Sequence, residues 1–329
     1  MNTLKKVYRK FKGKKGTVFV LFTAAVGALA MMTSLSLNVA NLHHTSIELQ
    51  NAADAAALSG VTKIPIVDAD ARPIVHSVAQ EHTAAGHPVT LLDPDIQFGN
   101  YNLDSDIFSA NTTPINAVRV VARRDGTSPN GPVNFTFGQF LGIDSANLTR
   151  EAIAVQDNRV VGATLIPYGV YRPVVDTDMD GDFEVGMLVN LYATPNTPPG
   201  NFAWVDFDGD QNPTGELRDW LLNGFEGLTI PQWIPGSTGQ RGDAPQDEWD
   251  QRVGDTVVMP VYYEYQLQGS NGQYYLNDLV AVKILAVDTN GPPNNRHVTA
   301  EIVQNGSSGY GVDDDAEENE TLFALRLIH

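Results

Sequence analysis

Residues Thr17 to Leu37 read TVFVLFTAAVGALAMMTSLSL, 21 positions without a charge. Seven cations precede this run (Lys5, Lys6, Arg9, Lys10, Lys12, Lys14 and Lys15), and the first acid, Glu48, comes well after it. At about 1.5 Å per helical residue the run spans roughly 30 Å, the depth of a bilayer's hydrocarbon core. A basic flank stays on the cytoplasmic side. The sequence therefore predicts a basic cytoplasmic tail over 1–16, one transmembrane helix over 17–37 and an exported remainder. A cleaved secretion signal is the competing reading. It fits less well, because signal cores run about 7–15 residues and end at a small-x-small site. Asn38-Val39-Ala40 is a poor version of such a site. A buried helix of a soluble protein fits worse still, since it gives no reason for a one-sided block of cations.

The charge is polarised along the chain. Its 329 residues carry a formal net charge of −18, yet seven of the 21 cations precede Gly16, which leaves 14 against all 39 acids. The exported part thus stands near −25, a surface that repels nucleic acid and anionic lipid. Neither is an expected partner. The chain has no cysteine, which excludes disulfides, a thiolate nucleophile and Cys-type zinc sites.

No proline interrupts the chain before Pro65, and Gly60 is a natural helix stop, so the membrane helix is expected to run on as a stalk to about Ser59. Leu35, Val39, Leu42, Ser46, Leu49, Ala53, Ala56 and Gly60 alternate spacings of four and three, a heptad seam. Its far end is small (Ala52, Ala53, Ala55, Ala56, Ala57), which lets another backbone come close. The partner is either the chain's own head or another subunit.

A second helix is expected over 74–86, ending at Gly86, followed by strands at Val89–Leu92, Ile96–Tyr101, Ala117–Arg123, Val133–Phe137 and Thr149–Val155. A break near Asp157–Arg159 separates this α+β segment, 38–157, from a β-rich region, 158–329. In the latter, strand-like runs fall at Val160–Tyr171, Phe183–Leu191, Thr256–Gln266, Gln273–Val287, His297–Val303 and Thr321–Ile328. Loops rich in Pro, Gly and Asn lie at 194–200 and 290–295. A short helix is expected at Gly215–Asn223, capped by Thr214 and stopped by Gly224. The fold class is α+β: a transmembrane helix, a stalk helix, an α+β segment and a β-rich head.

One stretch carries metal-like chemistry. Asp176-Thr177-Asp178-Met179-Asp180-Gly181-Asp182-Phe183-Glu184 places carboxylates at alternate positions and a glycine sixth, like the first half of a calcium loop. The twelfth position is Met187, so the bidentate glutamate of a complete EF-hand is missing. Asp176, Asp178, Asp180 and Asp182 are the candidate calcium ligands, and calcium is the candidate cofactor. Asp206-Phe207-Asp208-Gly209-Asp210 repeats the theme more weakly; plain acidic turns are the alternative for both. The four tryptophans (Trp204, Trp220, Trp233, Trp249) read as core beneath loops more readily than as a sugar-stacking face. The seven histidines lack metal spacing, Arg241-Gly242-Asp243 is an ordinary turn, and no hydrolase or nucleotide-binding motif is present.

The segment Leu49-Gln50-Asn51-Ala52-Ala53-Asp54-Ala55-Ala56-Ala57 resembles the LQNAADAAALA signature of Flp (Tad) pilus-assembly proteins of the TadE/TadG type. There it follows a basic residue, a glycine and a membrane helix; here Lys15-Gly16 and the run to Leu37 hold those places. Similar matches follow in order: Asp95–Tyr101, Asn116–Val120, Phe140–Gly142 and Ala152–Val155, then Trp220–Gly224 and Val253–Tyr262. Processed pilins of the system carry a glutamate five residues after the glycine. Leu21 stands there instead, so a retained anchor is implied. The metal motif of the von Willebrand-type relatives is absent. The resemblance implies a non-enzymatic, single-pass protein of the inner membrane with its bulk periplasmic or extracellular, its partners being other pilus-assembly or pilin-like proteins. A membrane-anchored calcium- or glycan-binding module is the alternative.

Overall fold

The computed structural model describes residues 2–64, 68–136, 138, 142–191, 204–209, 214–237, 246–266, 272–290 and 296–328. The loop at 194–200, most of the loop at 290–295, Arg241–Asp243, Phe140, Leu141 and Asp210 lie outside these residues. The chain is α+β and divides into two compact units, Met1–Ala154 with Leu327–His329, and Val155–Arg326.

The first unit is organised by helix α1, Asn2–Val61, about 90 Å long. The hydroxyls of Thr23 and Thr33 bond back to the carbonyls of Phe19 and Leu29, both at 2.9 Å, so these polar groups sit in an apolar run without an unmet hydrogen bond. The helix tightens at its end, where Lys63 and Ile64 donate to Gly60 and Val61. Helix α2 spans Asp68–Glu81 and buries Ala71, Val75 and Ala79, one face at spacing four.

This helix begins and ends earlier than the sequence reading placed it. Residues 83–84 pair with 87–88 in a small hairpin whose turn, Ala85 (φ 51°) and Gly86 (φ 77°), is left-handed at both positions. The carboxylate of Glu48 on α1 accepts the Ala85 N–H at 2.9 Å, fixing that turn. The sheet of this unit takes the order Leu148–Asp157, Ala117–Arg124, Ile96–Asn102, Ile107–Ala110. Ile96 faces Val120, and Gly99 faces Ala110 across antiparallel pairs. A side chain at Gly99 would lie 2.2 Å from the Ser109 carbonyl oxygen. Residues 89–92, expected as a strand, are irregular.

The second unit is built on a hairpin of Thr256–Gln266 with Gln273–Asp288, extended by His297–Ile302 and Leu188–Asn190 on one side and by Val170–Tyr171 on the other. The expected run 160–171 is interrupted, keeping only its ends as strands, Val160–Gly162 and Val170–Tyr171. Likewise 183–191 forms a strand only at Leu188–Asn190, because its first half is a turn-rich loop. Helix α3, Thr214–Asn223, buries Leu217, Trp220 and Leu221. It ends at Gly224 (φ 78°), whose N–H bonds the Trp220 carbonyl. Helix α4, Gln246–Arg252, was not foreseen. It buries Trp249 completely, and its Arg252 donates to the carbonyls of Leu221 and Leu222, the exposed C-terminal acceptors of α3.

Candidate functional site

Helix α1 has two regions of different character. Over Val18–Thr33 it is apolar all round and bare: Phe19 is 70% exposed and Met32 69%. Burying one such side chain yields about 1.5–3 kcal/mol, so the nine left bare between Val18 and Met32 would forgo as much as or more than a typical domain's whole stability of about 5–15 kcal/mol. Cover begins at Ser34, and Asn38 and Thr45 are also buried, while Leu35 and Val39 of the heptad seam remain exposed and Leu42 is half-buried.

From Leu49 onward the helix is packed. Leu49, Ala52, Ala53, Ala56, Ala57 and Gly60 are fully buried, against α2 and the strand Ala117–Arg124. A Cβ on Gly60 would lie 2.8 Å from Val75 Cγ2 and 3.1 Å from Val118 Cγ1. The spacing of the small residues is what admits these neighbours. Within the same signature Gln50 donates to Asp54 Oδ1 at 2.8 Å and to the Glu151 carbonyl at 3.1 Å, pinning the helix to the strand Leu148–Asp157. Asn51 is exposed, and Asp54 and Ala55 are half-buried.

The second unit carries the acidic loop. Asp176 is 1% exposed; its Oδ2 pairs with Arg172 Nε at 3.0 Å, while its Oδ1 has no hydrogen-bond partner among the described residues. Met179 (φ 61°) and Gly181 (φ 109°) take left-handed conformations, and Arg172 also donates to the Gly181 carbonyl. The backbone therefore folds back on itself. It brings carboxylate oxygens of Asp176, Asp178 and Glu184 within 4.8 Å of one another. Asp180 Oδ1 instead accepts the Asp182 N–H at 3.0 Å.

Asp182 lies against Glu320, whose Oε2 accepts the Phe183 N–H. Burial and the neighbouring Asp182 and Asp180 push the Glu320 carboxyl up. Burial also acts to raise Glu184, but hydrogen bonds, chiefly from the Thr177 hydroxyl and N–H to Oε1, prevail and hold it low. Its Oε2 is buried without a hydrogen-bond partner among the described residues. Of the four expected ligands the structure thus brings two, Asp176 and Asp178, together with a third carboxylate, Glu184. In the second acidic loop Asp206 is buried and bonds the Gly209 N–H as a turn, and Asp208 is exposed. Trp204, Trp220 and Trp249 are core; Trp233 is 40% exposed beside Tyr275.

Buried charge elsewhere in this unit is paired. Asp157, fully buried, accepts from Arg159 Nε at 3.0 Å and Arg326 Nη1 at 2.6 Å. Burial alone would raise its carboxyl, but these two guanidinium contacts hold it below the usual range.

These features define a class: an α+β protein with, among its described residues, one helix long and apolar enough to cross a membrane, whose far end is built into a compact folded unit. Residues 40–154 match the model of the Tad_C family, described as putative Tad-like Flp pilus-assembly, so this segment is similar to proteins of Flp/Tad pilus assembly. The match ends at Ala154, where the first unit's main segment also ends. No curated protein and no solved structure matches the chain.

Proposed function

We propose that the protein is a non-enzymatic, membrane-anchored component of a Flp/Tad pilus-assembly or secretion system. Its N-terminus lies in the cytoplasm, α1 crosses the inner membrane, and both folded units stand in the periplasm. The observation that carries this reading is a bare apolar helix leading directly into the segment that matches the Tad_C family. The seven cations before the helix and the excess of acids after it support the orientation. In this reading the small-residue end of α1 holds the domain at a fixed distance from the bilayer. The exposed faces of the two units then contact other assembly components. The rival reading, a calcium- or glycan-binding surface module, has the convergence of Asp176, Asp178 and Glu184 on its side. An ion at that loop is compatible with an assembly role.

The test is genetic and uses the whole chain. Deleting the gene abolishes surface pili, and re-expressing the chain restores them. A chain carrying Val26→Arg and Leu29→Arg fails to restore them, because each central arginine costs about 2.5–3.5 kcal/mol of membrane insertion. A deletion strain with normal pili would refute the proposal.

A further inference from the structure

We propose that Asp176, Asp178 and Glu184 bind one calcium ion. Two oxygens on the same calcium, each at about 2.3–2.6 Å, lie no more than about 5 Å apart. The three carboxylates meet that limit, their oxygens all within 4.8 Å of one another. They occupy the first, third and ninth positions of the acidic stretch, and the left-handed turn at Met179 and Gly181 is what lets the ninth come back to the first. Glu184 takes the place that position would hold in a calcium loop closed by nine residues rather than twelve.

Proximity of acids alone would not make a site, since acidic turns are common on surfaces. The independent observation is Asp176. Its side chain is buried, Arg172 occupies Oδ2, and Oδ1 is left without a hydrogen-bond donor among the described residues. An ionised oxygen withdrawn from water and given no donor is costly, on the order of several kcal/mol, unless a cation takes it. Glu184 repeats the pattern: Thr177 saturates Oε1, and Oε2 is buried without a partner among the described residues.

Both orphan oxygens therefore belong to residues of the same three-carboxylate cluster. Further acids on this loop, Asp180 and Asp182, together with Glu320, add negative potential, and the Asp180 N–H reaches Asp178 Oδ1 only at 3.4 Å. The donor set is all oxygen, with no histidine or cysteine, which suits a hard cation. Carbonyl oxygens and water would complete a flexible shell of six to eight, which calcium accepts and magnesium, with its octahedral demand, does not. Arg172 preorganises the loop by holding both Asp176 and the Gly181 carbonyl, so the ion meets ligands already in place.

The experiment uses the full chain purified in detergent and freed of metal with EDTA. Calcium chloride alone is titrated by calorimetry, and thermal unfolding is followed by tryptophan fluorescence. The expected result is one site per chain and a midpoint raised by about 5 °C at about 100 times the Kd. Asp178→Asn at an exposed position and Glu184→Gln at a half-buried one each raise the Kd at least tenfold, while Asp208→Asn in the second acidic loop leaves it unchanged. Absence of a calcium-dependent shift overturns the proposal. So does an equal response to magnesium, or an unchanged Kd in both loop variants.

Discussion

The first unit is held by a row of small side chains on one helix, whereas the second is held by a long hairpin with ionised groups buried inside it. At Gly60 the first unit lacks room even for an added methyl group, and Ala53 and Ala56 are fully buried, so its fit is one of volume. The second unit fully buries the Asp157 carboxyl and half-buries that of Asp278, and it depends on donors to hold them. Each unit is therefore vulnerable in its own way, the first to added bulk and the second to lost charge and to pH. All four tryptophans lie in the second unit, so fluorescence reports its unfolding alone, and amide exchange in α2 reports the first.

The largest effect is expected at Asp157. Asp157→Ala leaves Arg159 with only the exposed Asp314 as a carboxylate partner and should cost about 3 kcal/mol, read as a lower denaturant midpoint by fluorescence with α2 exchange unchanged. Gly60→Leu is the converse. It forces a side chain onto Val75 and Val118 and should cost about 1–3 kcal/mol, read as faster exchange in α2 with the fluorescence midpoint unchanged. If either variant moved the other reporter by the same amount, the contrast between the units would fail.

A third prediction concerns pH. Burial pushes the Asp278 carboxyl up to about 6 from an ordinary 3.8, against hydrogen bonds from Leu279 and Asn319 and the nearby Arg172. A folded value above the unfolded one means the native state binds the extra proton, so this contribution is present below about pH 4 and is lost as pH rises to about 6. Asp278→Asn should flatten that decline and leave the fluorescence midpoint at neutral pH unchanged or higher. Asp157 works the other way: its depressed value gives stability above about pH 4 that fades on further acidification. The smallest effect is expected at Gln50→Ala, which removes the bonds to Asp54 and Glu151 and should cost the first unit about 0.5–1.5 kcal/mol.

Long elements with strong patterns were legible in the sequence. The apolar run with its basic flank, the hairpin strands at Thr256 and Gln273, and α3 between its Thr214 and Gly224 boundaries all stand where the pattern puts them. Elements made by tertiary contact were not. The strand Ile107–Ala110 is short and almost wholly exposed, so it has no alternation to read; only pairing with Ile96–Asn102 makes it a strand. Helix α4 is seven residues long and rests on one buried tryptophan. The end of α2 was misplaced because Ala84-Ala85-Gly86 reads as helix locally, while Glu48, 37 residues earlier, holds Ala85 in a hairpin turn.

The acidic loop shows the same limit at finer grain. Alternating aspartates suggested the four ligands at 176, 178, 180 and 182, yet which carboxylates converge is set by backbone sign at Met179 and Gly181. Glu184 stood in the quoted stretch, but only geometry brings it to Asp176. The seam on α1 was visible as a spacing. That its lower half packs within its own unit required α2 and the sheet to be seen.

That α1 spans the inner membrane, with the tail inside and both units outside, is open to direct measurement. The chain's lack of cysteine makes a direct measurement clean: Thr3→Cys, Ser105→Cys and Asp315→Cys are expressed singly and exposed to a membrane-impermeant maleimide in cells with a permeabilised outer membrane. Labelling is expected at positions 105 and 315, and none at 3 until the inner membrane is broken. Labelling at position 3 in such cells, or protection of 105 and 315, would contradict that topology.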